Sequence, residues 1–303
     1  MYDVLIVGMG PAGLTAAVYT ARKKLSTLLV GKQYGGQAAR AAEIENYMGY
    51  QYITGAELMA RFEEQVKKYP VQVVQAEVVS LGREDGHFVA RTRDGRDFRS
   101  RTVIVAAGKS PRRLNVPGEG RLLGRGVSYC AVCDTPLFGG LDVAVVGGGN
   151  SALTAAYDLL KVARHVYVVS LGEWTADPVL VDKVKDAPNL TKLAGFEVVR
   201  IEGEERVSGI ALRSLSDPRE EKLLGVQGVF VEIGTVPNSG FVEGFLELNE
   251  KGEIKVDCEC RTSVPGVFAA GDITDIPEKQ VIVAAGEGAK AALGAYRYLL
   301  MAR

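Results

Sequence analysis

Two cysteines separated by two residues, Cys130 and Cys133 in the stretch YCAVCD, form the motif of this sequence with the most specific chemistry. A pair at this spacing can cycle between dithiol and disulfide, and the adjacent Asp134 could exchange the protons that accompany the two electrons. Cys258 and Cys260 are the remaining cysteines, so a four-thiolate zinc site and inert thiols are the alternatives. We favour a redox pair, because structural zinc usually holds a small domain together and the two cysteine pairs are far apart in the sequence. Cys258 and Cys260 are then expected to be inert thiols near the surface.

The elements that must position this pair begin with a glycine-rich turn near the N-terminus, in YDVLIVGMGPAGLTAAVYTARK. An apolar strand at 4–7 leads into glycines at 8, 10 and 13, and a helix of small residues is predicted over 11–22. This spacing directly after a strand is typical of a dinucleotide site. Gly8 permits the tight turn, Gly10 lets the backbone approach a pyrophosphate, and Gly13 lets helix and strand pack closely. A plain tight turn is the alternative.

The same plan occurs a second time, in LDVAVVGGGNSALTAAYDLL, where a strand again precedes glycines and a helix. Each unit continues into a run of short apolar segments that predicts a β-meander, over 71–101 and over 196–232. The two runs end alike, in VIVAAGKSPR and VFVEIGTVPN. The predicted fold is therefore α/β, with two tandem Rossmann-like three-layer domains, each carrying a β-meander. We expect one discontinuous domain at 1–112 and 244–303, and a second at 113–243 that carries the cysteine pair.

The bulk composition excludes several classes of protein. Hydrophobic residues make up 47% of the 303 residues, charged residues make up 24%, and the formal net charge is -1, so nothing indicates nucleic-acid binding. No apolar run approaches the ~18 residues that span a bilayer, and no signal peptide is evident at the N-terminus. We expect a cytoplasmic protein.

Eight stretches, in their order along the chain, resemble the low-molecular-weight thioredoxin reductases. They are GMGPAGLTAAVYTARK, GGQ at 35–37, IENYMG at 44–49, AAGKSPR, CAVCD, GGGNSA, TSVPGVFAAGDI and KQVIVAAGEGAKAA. TADPVLVDK also resembles the reductase part of the flavoprotein component of alkyl hydroperoxide reductase. The resemblance covers essentially the whole chain and implies a flavoprotein disulfide reductase that is homodimeric and acts on thioredoxin or a similar protein.

The resemblance also implies FAD as the cofactor of the discontinuous domain and assigns residues to it. Those expected around FAD are Gly8, Gly10, Pro11, Ala12, Gly13, Gly35, Gly36, Gln37, Asn46, Ala107, Gly108, Gly271, Asp272, Gln280 and Val281. Cys133 would be the thiol nearest the flavin and Cys130 the thiol that attacks the partner disulfide. Asp134 keeps its role as a proton donor, and no metal is expected.

The electron donor is where this sequence departs from the NADPH-dependent members of that family. They carry an arginine-rich run after the second strand of the second unit, where a guanidinium makes paired bonds to the 2′-phosphate. This chain reads SLGEWTAD there and has no Lys or Arg between Arg164 and Lys183. Glu173 is poorly placed to bind a ribose as NADH would require. This chain also resembles the ferredoxin-dependent flavin thioredoxin reductases, which lack that arginine run, and the resemblance implies reduced ferredoxin as the donor. NADH- or NADPH-dependent reduction of a thioredoxin or peroxiredoxin is the alternative. A flavin-binding redox sensor without turnover is a remote one. Trp174, the only tryptophan, either packs under a loop or fills the abandoned adenosine site.

Overall fold

The computed structural model describes residues 1–41 and 44–301, and these divide into two compact units. The first unit comprises the described residues within 1–110 and 236–303, and the second comprises 111–235. The chain thus crosses between the units at 110/111 and at 235/236, whereas the sequence predicted crossings at 112/113 and 243/244. Short strands lie at the two crossings, β7 (Lys109–Pro111) and β16 (Thr235–Pro237).

The first unit is built on a seven-stranded sheet in which parallel and antiparallel parts share one long strand. Its strands are β1 (Tyr2–Val7), β2 (Thr27–Gly31), β3 (Gln72–Gln75), β4 (Val78–Glu84), β5 (His87–Thr92), β6 (Asp97–Val105) and β17 (Val267–Ala269). The order is β3-β2-β1-β6-β5-β4, and β17 also pairs with β6. The first half of β6 is antiparallel to β5, and its second half is parallel to β17. The meander predicted over 71–101 is formed by β4, β5 and β6, whereas β3, at the start of that range, pairs in parallel with β2.

Three helices, α1 (Pro11–Arg22), α2 (Gly55–Lys67) and α6 (Val281–Met301), cover one face of this sheet. Small residues let α1 and α6 pack closely: a Cβ atom added at Gly288 would lie 2.1 Å from the Ala12 carbonyl oxygen. The α2 helix begins with the predicted capping box, in which Thr54 and Glu57 satisfy each other's backbone N–H groups. Apolar side chains of the meander and of the segment 241–256 form a second core on the opposite face.

The second unit repeats the plan with a five-stranded parallel sheet and a separate meander. The parallel strands are β8 (Val127–Ser128), β9 (Asp142–Val146), β10 (His165–Ser170), β11 (Leu190–Ala194) and β15 (Gly228–Val231), in the order β11-β10-β9-β15-β8. The meander strands are β12 (Phe196–Glu202), β13 (Gly209–Ser214) and β14 (Glu221–Leu224). The helices are α3 (Ala131–Asp134), α4 (Asn150–Leu159) and α5 (Pro178–Val184). The chain therefore has an α/β fold with two Rossmann-like domains, as the sequence predicted.

No helix within 1–41 and 44–301 combines the length and the apolar character that crossing a membrane requires.

Candidate functional site

The first glycine turn has the geometry that a dinucleotide site requires. A Cβ atom at Gly8, where φ is +117°, would lie 2.1 Å from the Ala106 carbonyl oxygen, and one at Gly13 would lie 1.9 Å from the carbonyl oxygen of Gly8. Both positions therefore admit only glycine. A Cβ atom at Gly10 would instead meet no atom of the described residues within 4 Å, so the backbone there faces open space.

The N-terminus of α1 that follows this turn is suited to an anion. Its N-cap is Gly10, its first residue is Pro11, and its first turn contains no acidic residue. No side chain of the described residues caps the backbone N–H groups of this turn, and no carboxylate within the turn neutralises them. A pyrophosphate at this turn would be held by such groups.

Two loops extend the candidate site beyond the turn. A Cβ atom at Gly36 would lie 3.5 Å from the Gly10 Cα atom, and Gly35 donates its N–H to the Met9 carbonyl oxygen at 2.8 Å. Gln37 donates its side-chain amide to the Lys109 carbonyl oxygen. In the second loop, Asn46 donates to the Gln280 side chain at 3.0 Å, next to the start of α6 at Val281.

The segment from Ala107 to Lys109 is fixed by hydrogen bonds and by a partly buried ion pair. Asn238 donates its side chain to the Ala107 carbonyl oxygen at 2.7 Å and its backbone N–H to the Gly108 carbonyl oxygen at 2.9 Å. Lys109 lies 2.7 Å from Glu253, and the two side chains are only 14% and 9% exposed. Burial by itself would raise the pKa of Glu253, but bonds from Lys109 and Asn249 and the charge of Lys279 lower it to about 2.

A second turn, Gly271–Asp272, lies against α1 and α6. A Cβ atom at Gly271 would lie 3.1 Å from Ala12 Cβ, and the Gly271 N–H donates to the buried carboxylate of Glu287 at 2.7 Å. Burial raises the pKa of Asp272, and the charges of Lys279 and Lys109 oppose that rise. The residues predicted for FAD thus belong to one unit, and Gly36 and Gly271 lie close to the uncapped start of α1, where the backbone at Gly10 faces open space. This arrangement fits a dinucleotide.

The cysteine pair lies in the second unit as a disulfide at the start of the short helix α3. Cys130 is the N-cap residue and half-buried, whereas Cys133 is exposed. The N–H of Cys130 bonds to the Ser128 hydroxyl at 3.0 Å, and the N–H of Asp134 bonds to the Cys130 carbonyl oxygen at 3.2 Å. The disulfide Cys130–Cys133 leaves neither sulfur as a thiolate for zinc. Within the described ranges, no group of three or more His, Cys, Asp or Glu side chains is arranged to hold a metal ion.

A buried carboxylate fixes the chain that leads into this disulfide. Glu119 is 3% exposed and accepts the N–H groups of Leu114 and Asn115, both at 2.8 Å. It also accepts the hydroxyl of Tyr129, the residue before Cys130, at 2.7 Å. Burial, followed by this bond, raises the pKa of the Tyr129 hydroxyl. Glu119 was not predicted from the sequence, although its partners lie only four, five and ten residues away along the chain.

The second glycine turn reproduces the first. A Cβ atom at Gly147, where φ is +140°, would lie 2.2 Å from the Glu232 carbonyl oxygen. The N-cap of α4 is Gly149, and its first turn also contains no acidic residue. This half of a dinucleotide site is therefore intact in its backbone.

The residues after β10 differ from those of an NADPH site, but a cation that the sequence did not reveal lies nearby. Ser170 bonds through its hydroxyl to the Gly172 carbonyl oxygen, and Glu173 forms an ion pair with Lys192 of the adjacent strand β11. The Lys192 ammonium also lies 4.8 Å from the centre of the Trp174 ring. Only the pairing of β10 with β11 could have indicated this lysine.

Trp174 lies over the second glycine turn. Its Cδ1 atom is 3.5 Å from the position of a Cβ at Gly148, and Thr175 donates its N–H to the Gly148 carbonyl oxygen at 2.8 Å. Its indole nitrogen is buried and has no hydrogen-bond partner within the described part of the chain. The tryptophan thus covers part of the surface on which a dinucleotide would lie.

The expectation that Cys258 and Cys260 both lie near the surface is wrong for one of them. Cys258 is exposed, but Cys260 is buried, with φ +62° and its thiol 3.8 Å from the Glu287 carbonyl oxygen. Burial, and then the charge of Glu287, raise the pKa of the Cys260 thiol to about 11. A thiol so rarely ionised is a poor nucleophile.

Comparison with known proteins agrees with this geometry. Residues 2–288 match the family described as Pyridine nucleotide-disulphide oxidoreductase. A thioredoxin reductase of Lactococcus lactis has the same fold with a TM-score of 0.86 and 32% identity, over 99% of this chain and 100% of that one. The chain belongs to this family. Within it, the chain groups with the low-molecular-weight thioredoxin reductases and the F component of alkyl hydroperoxide reductase, which are flavin disulfide reductases that bind FAD.

The names of relatives in this family point to different electron donors. A Bacillus subtilis protein named NADH dehydrogenase is 44% identical over 99% of this chain, and the F component of the Escherichia coli alkyl hydroperoxide reductase is 41% identical over 99%. The chain spans 59% and 58% of the length of these two relatives. A ferredoxin-flavin thioredoxin reductase of Clostridium acetobutylicum has a TM-score of 0.55 and 31% identity, over 99% of this chain and 98% of that one.

Proposed function

We propose that this chain is an FAD-dependent disulfide reductase that passes electrons through Cys130 and Cys133 to the disulfide of thioredoxin or a similar protein. The observation that carries the proposal is the disulfide at the start of α3 in a chain of this family. FAD would be held by the turn at Gly8–Gly13, the loops at 35–37 and 46, the segment 107–108, the Gly271–Asp272 turn and the start of α6. When bound, it supplies the two electrons that break the disulfide.

The chain's own residues handle the protons and the transfer. Reduction of the disulfide takes up two electrons and two protons, and Asp134 is the side chain we propose for delivering one proton. The Cys130 thiolate then attacks the partner disulfide and forms a mixed disulfide. Cys133 attacks the Cys130 sulfur, releases the partner as a dithiol and restores the Cys130–Cys133 bond. The division of roles between the two cysteines rests on the family resemblance.

We propose reduced ferredoxin as the electron donor. The adenosine end of the second unit offers Ser170 where a reader of the ribose is expected, and the nearby cation Lys192 is held by Glu173. Placing a nicotinamide draws on binding energy from the remote adenosine, which these residues do not supply well. A one-electron carrier needs only a docking surface.

NADH is the second candidate, because the glycine turn at 147–149 is intact and the Bacillus subtilis relative is named NADH dehydrogenase. Anaerobic stopped-flow at the oxidised-flavin absorption band distinguishes the donors. We expect reduced ferredoxin to bleach the flavin much faster than either nicotinamide. Rapid, saturable bleaching by micromolar NADPH contradicts the ferredoxin proposal, and the same result with NADH alone supports the second candidate. A purified protein that takes up no FAD contradicts the whole proposal. The homodimer and the cytoplasmic location stay predictions.

A further inference from the structure

Glu232, which the function proposed above does not use, lies beside the cysteine pair in the second unit. It directly follows β15, which pairs in parallel with β9 on one side and with β8 on the other. The pairs Val231 with Val146 and Phe230 with Ser128 set the register. The same register carried forward brings Glu232 level with Gly147 on one side and with Cys130 on the other.

The Glu232 carboxylate accepts a hydrogen bond from the N–H of Ala131, which lies between the two cysteines. This N–H belongs to the first residue of α3 and has no partner within that helix. In a cysteine pair at a helix start, such a donor would otherwise stabilise the thiolate of the preceding cysteine. Glu232 therefore occupies the Ala131 N–H, a donor that would otherwise stabilise the Cys130 thiolate.

Among the described residues, Glu232 has no cationic partner that would lower its pKa. Burial raises the pKa of this carboxyl to about 7, and the bond from Ala131 opposes the rise. The titratable groups on the packed elements are Asp134 on α3, Tyr129 after β8 and Asp142 at the far end of β9. Asp142 is bound by Arg164, and Tyr129 is bound by Glu119.

The duplicated architecture shows that this position does not need an acid to fold. Ala106 occupies the equivalent position in the first unit, in VIVAAG against VFVEIG. Its carbonyl oxygen would lie 2.1 Å from a Cβ atom added at Gly8, as that of Glu232 would lie 2.2 Å from one added at Gly147. The backbone role is thus the same in both units, and the carboxyl group is an addition in the unit that carries the disulfide.

We propose that Glu232 is a positioning residue for the Cys130–Cys133 couple, which holds the Ala131 N–H and exchanges a proton with the Cys130 thiol when the disulfide is reduced. The two electrons come from the reductant of the proposed function, on which this inference rests, and the sulfur–sulfur bond breaks. One proton reaches the Cys133 sulfur from Asp134 or water. The other passes from the protonated Glu232 carboxyl to the Cys130 thiolate, leaving a thiol and a carboxylate that takes a proton from solvent.

The test measures the ionisation of Cys130 in the intact flavin-loaded chain after reduction by a phosphine. The rate of iodoacetamide labelling of Cys130 is followed against pH by peptide mass spectrometry, which separates it from Cys133 and Cys258. Glu232→Gln keeps an oxygen for the Ala131 N–H but removes the charge. We expect the midpoint for Cys130 to fall by about one pH unit, a tenfold faster labelling near neutral pH, because a like charge no longer opposes the thiolate. The exposed Glu205→Gln is the matched control and should leave the midpoint unchanged.

An unchanged Cys130 midpoint in Glu232→Gln overturns the proposal. If that variant does not fold, the redox-difference infrared spectrum of the wild-type protein decides instead. A protonated-carboxyl band must then change between disulfide and dithiol, with the isotope shift of an exchangeable proton in D2O, and an absent band overturns the proposal. Neither measurement uses ferredoxin, a nicotinamide or thioredoxin. A failure of the donor or partner assignment is therefore distinguishable from a failure of this inference.

Discussion

Replacing Lys109 with methionine tests whether the ion pair under the candidate FAD site holds the segment 107–109. The Lys109–Glu253 pair is largely buried, and the pKa of Glu253 is lowered from 4.5 to about 2. At about 1.4 kcal/mol per pKa unit, a shift of this size corresponds to about 3 kcal/mol of stability at neutral pH. Lys279, 3.4 Å from Glu253, and Asn249 remain in the variant. Because those two partners share the shift, we expect Lys109→Met to lose about 1–2 kcal/mol of unfolding free energy.

The stability difference between the wild-type protein and Lys109→Met should change with pH in a definite direction. A carboxyl whose folded pKa is lowered stabilises the fold above its unfolded pKa of 4.5 and loses that contribution as the pH falls through about 2. The difference between wild type and variant should thus be full at pH 7 and shrink below pH 4.5. Urea unfolding followed by circular dichroism and by flavin release measures it. The variant should also bind FAD more weakly, because the segment with Ala107 and Gly108 loses an anchor.

Lys255→Met is the matched control for Lys109→Met. Lys255 pairs with Glu247 at 2.6 Å, but both side chains are about half exposed, at 48% and 59%. Exposed pairs contribute little because water screens them. Equal stability losses in the two variants, or a loss in Lys109→Met that is independent of pH, would show that the buried pair does not act as described.

Two further outcomes check the two units separately. Gly8→Ala should yield a protein without flavin, because its Cβ atom would lie 2.1 Å from a backbone carbonyl oxygen, whereas Gly82→Ala, where a Cβ atom would meet no described atom within 4 Å, should keep one flavin per chain by absorbance. Flavin retained by Gly8→Ala would contradict the assigned turn. Cys130→Ser and Cys133→Ser should each keep flavin and lose reduction of the thioredoxin disulfide, with Cys258→Ser as the active control. Full activity in either of the first two would exclude the pair as the redox couple.

The sequence predicted best those features that depend on residues close together in the chain. The α1 helix spans Pro11–Arg22 as predicted, and the capping box at Thr54 and Glu57 is present. Both predictions rest on a local pattern whose physical cause is known. A glycine turn precedes the α1 helix, and the side chains of the capping box bond the first backbone N–H groups of α2. The turns at Asp85–Gly86 and Asp94–Gly95 likewise predicted a three-strand meander, although it spans 78–105 and not 71–101.

Features that depend on tertiary contact were missed or misjudged. Lys109 and Glu253 are 144 positions apart, so no local pattern links them. Lys192 reaches Glu173 only because β11 pairs with β10. No cation directly follows β10 in the sequence, but the fold brings one next to it. Cys260 was expected near the surface, but its strand-end neighbours and α6 bury it. Polar sequence neighbours such as Asp257 and Glu259 gave no sign of this.

The two glycine turns together show why an intact motif does not by itself identify a donor. Gly8 and Gly147 each face a backbone carbonyl oxygen at nearly the same distance, so packing alone requires glycine in both units, whether or not a ligand binds. The evidence for a ligand must therefore come from the side chains around each turn. In the first unit the backbone at Gly10 faces open space, and Gly36 and Gly271 lie close to the start of α1. In the second unit Trp174 lies against the turn and Lys192 is paired with Glu173, while the added acid, Glu232, lies toward the disulfide. The second unit has thus kept the backbone of a dinucleotide site while Trp174 lies against its glycine turn, so the glycine motif alone is no evidence that a nicotinamide binds there.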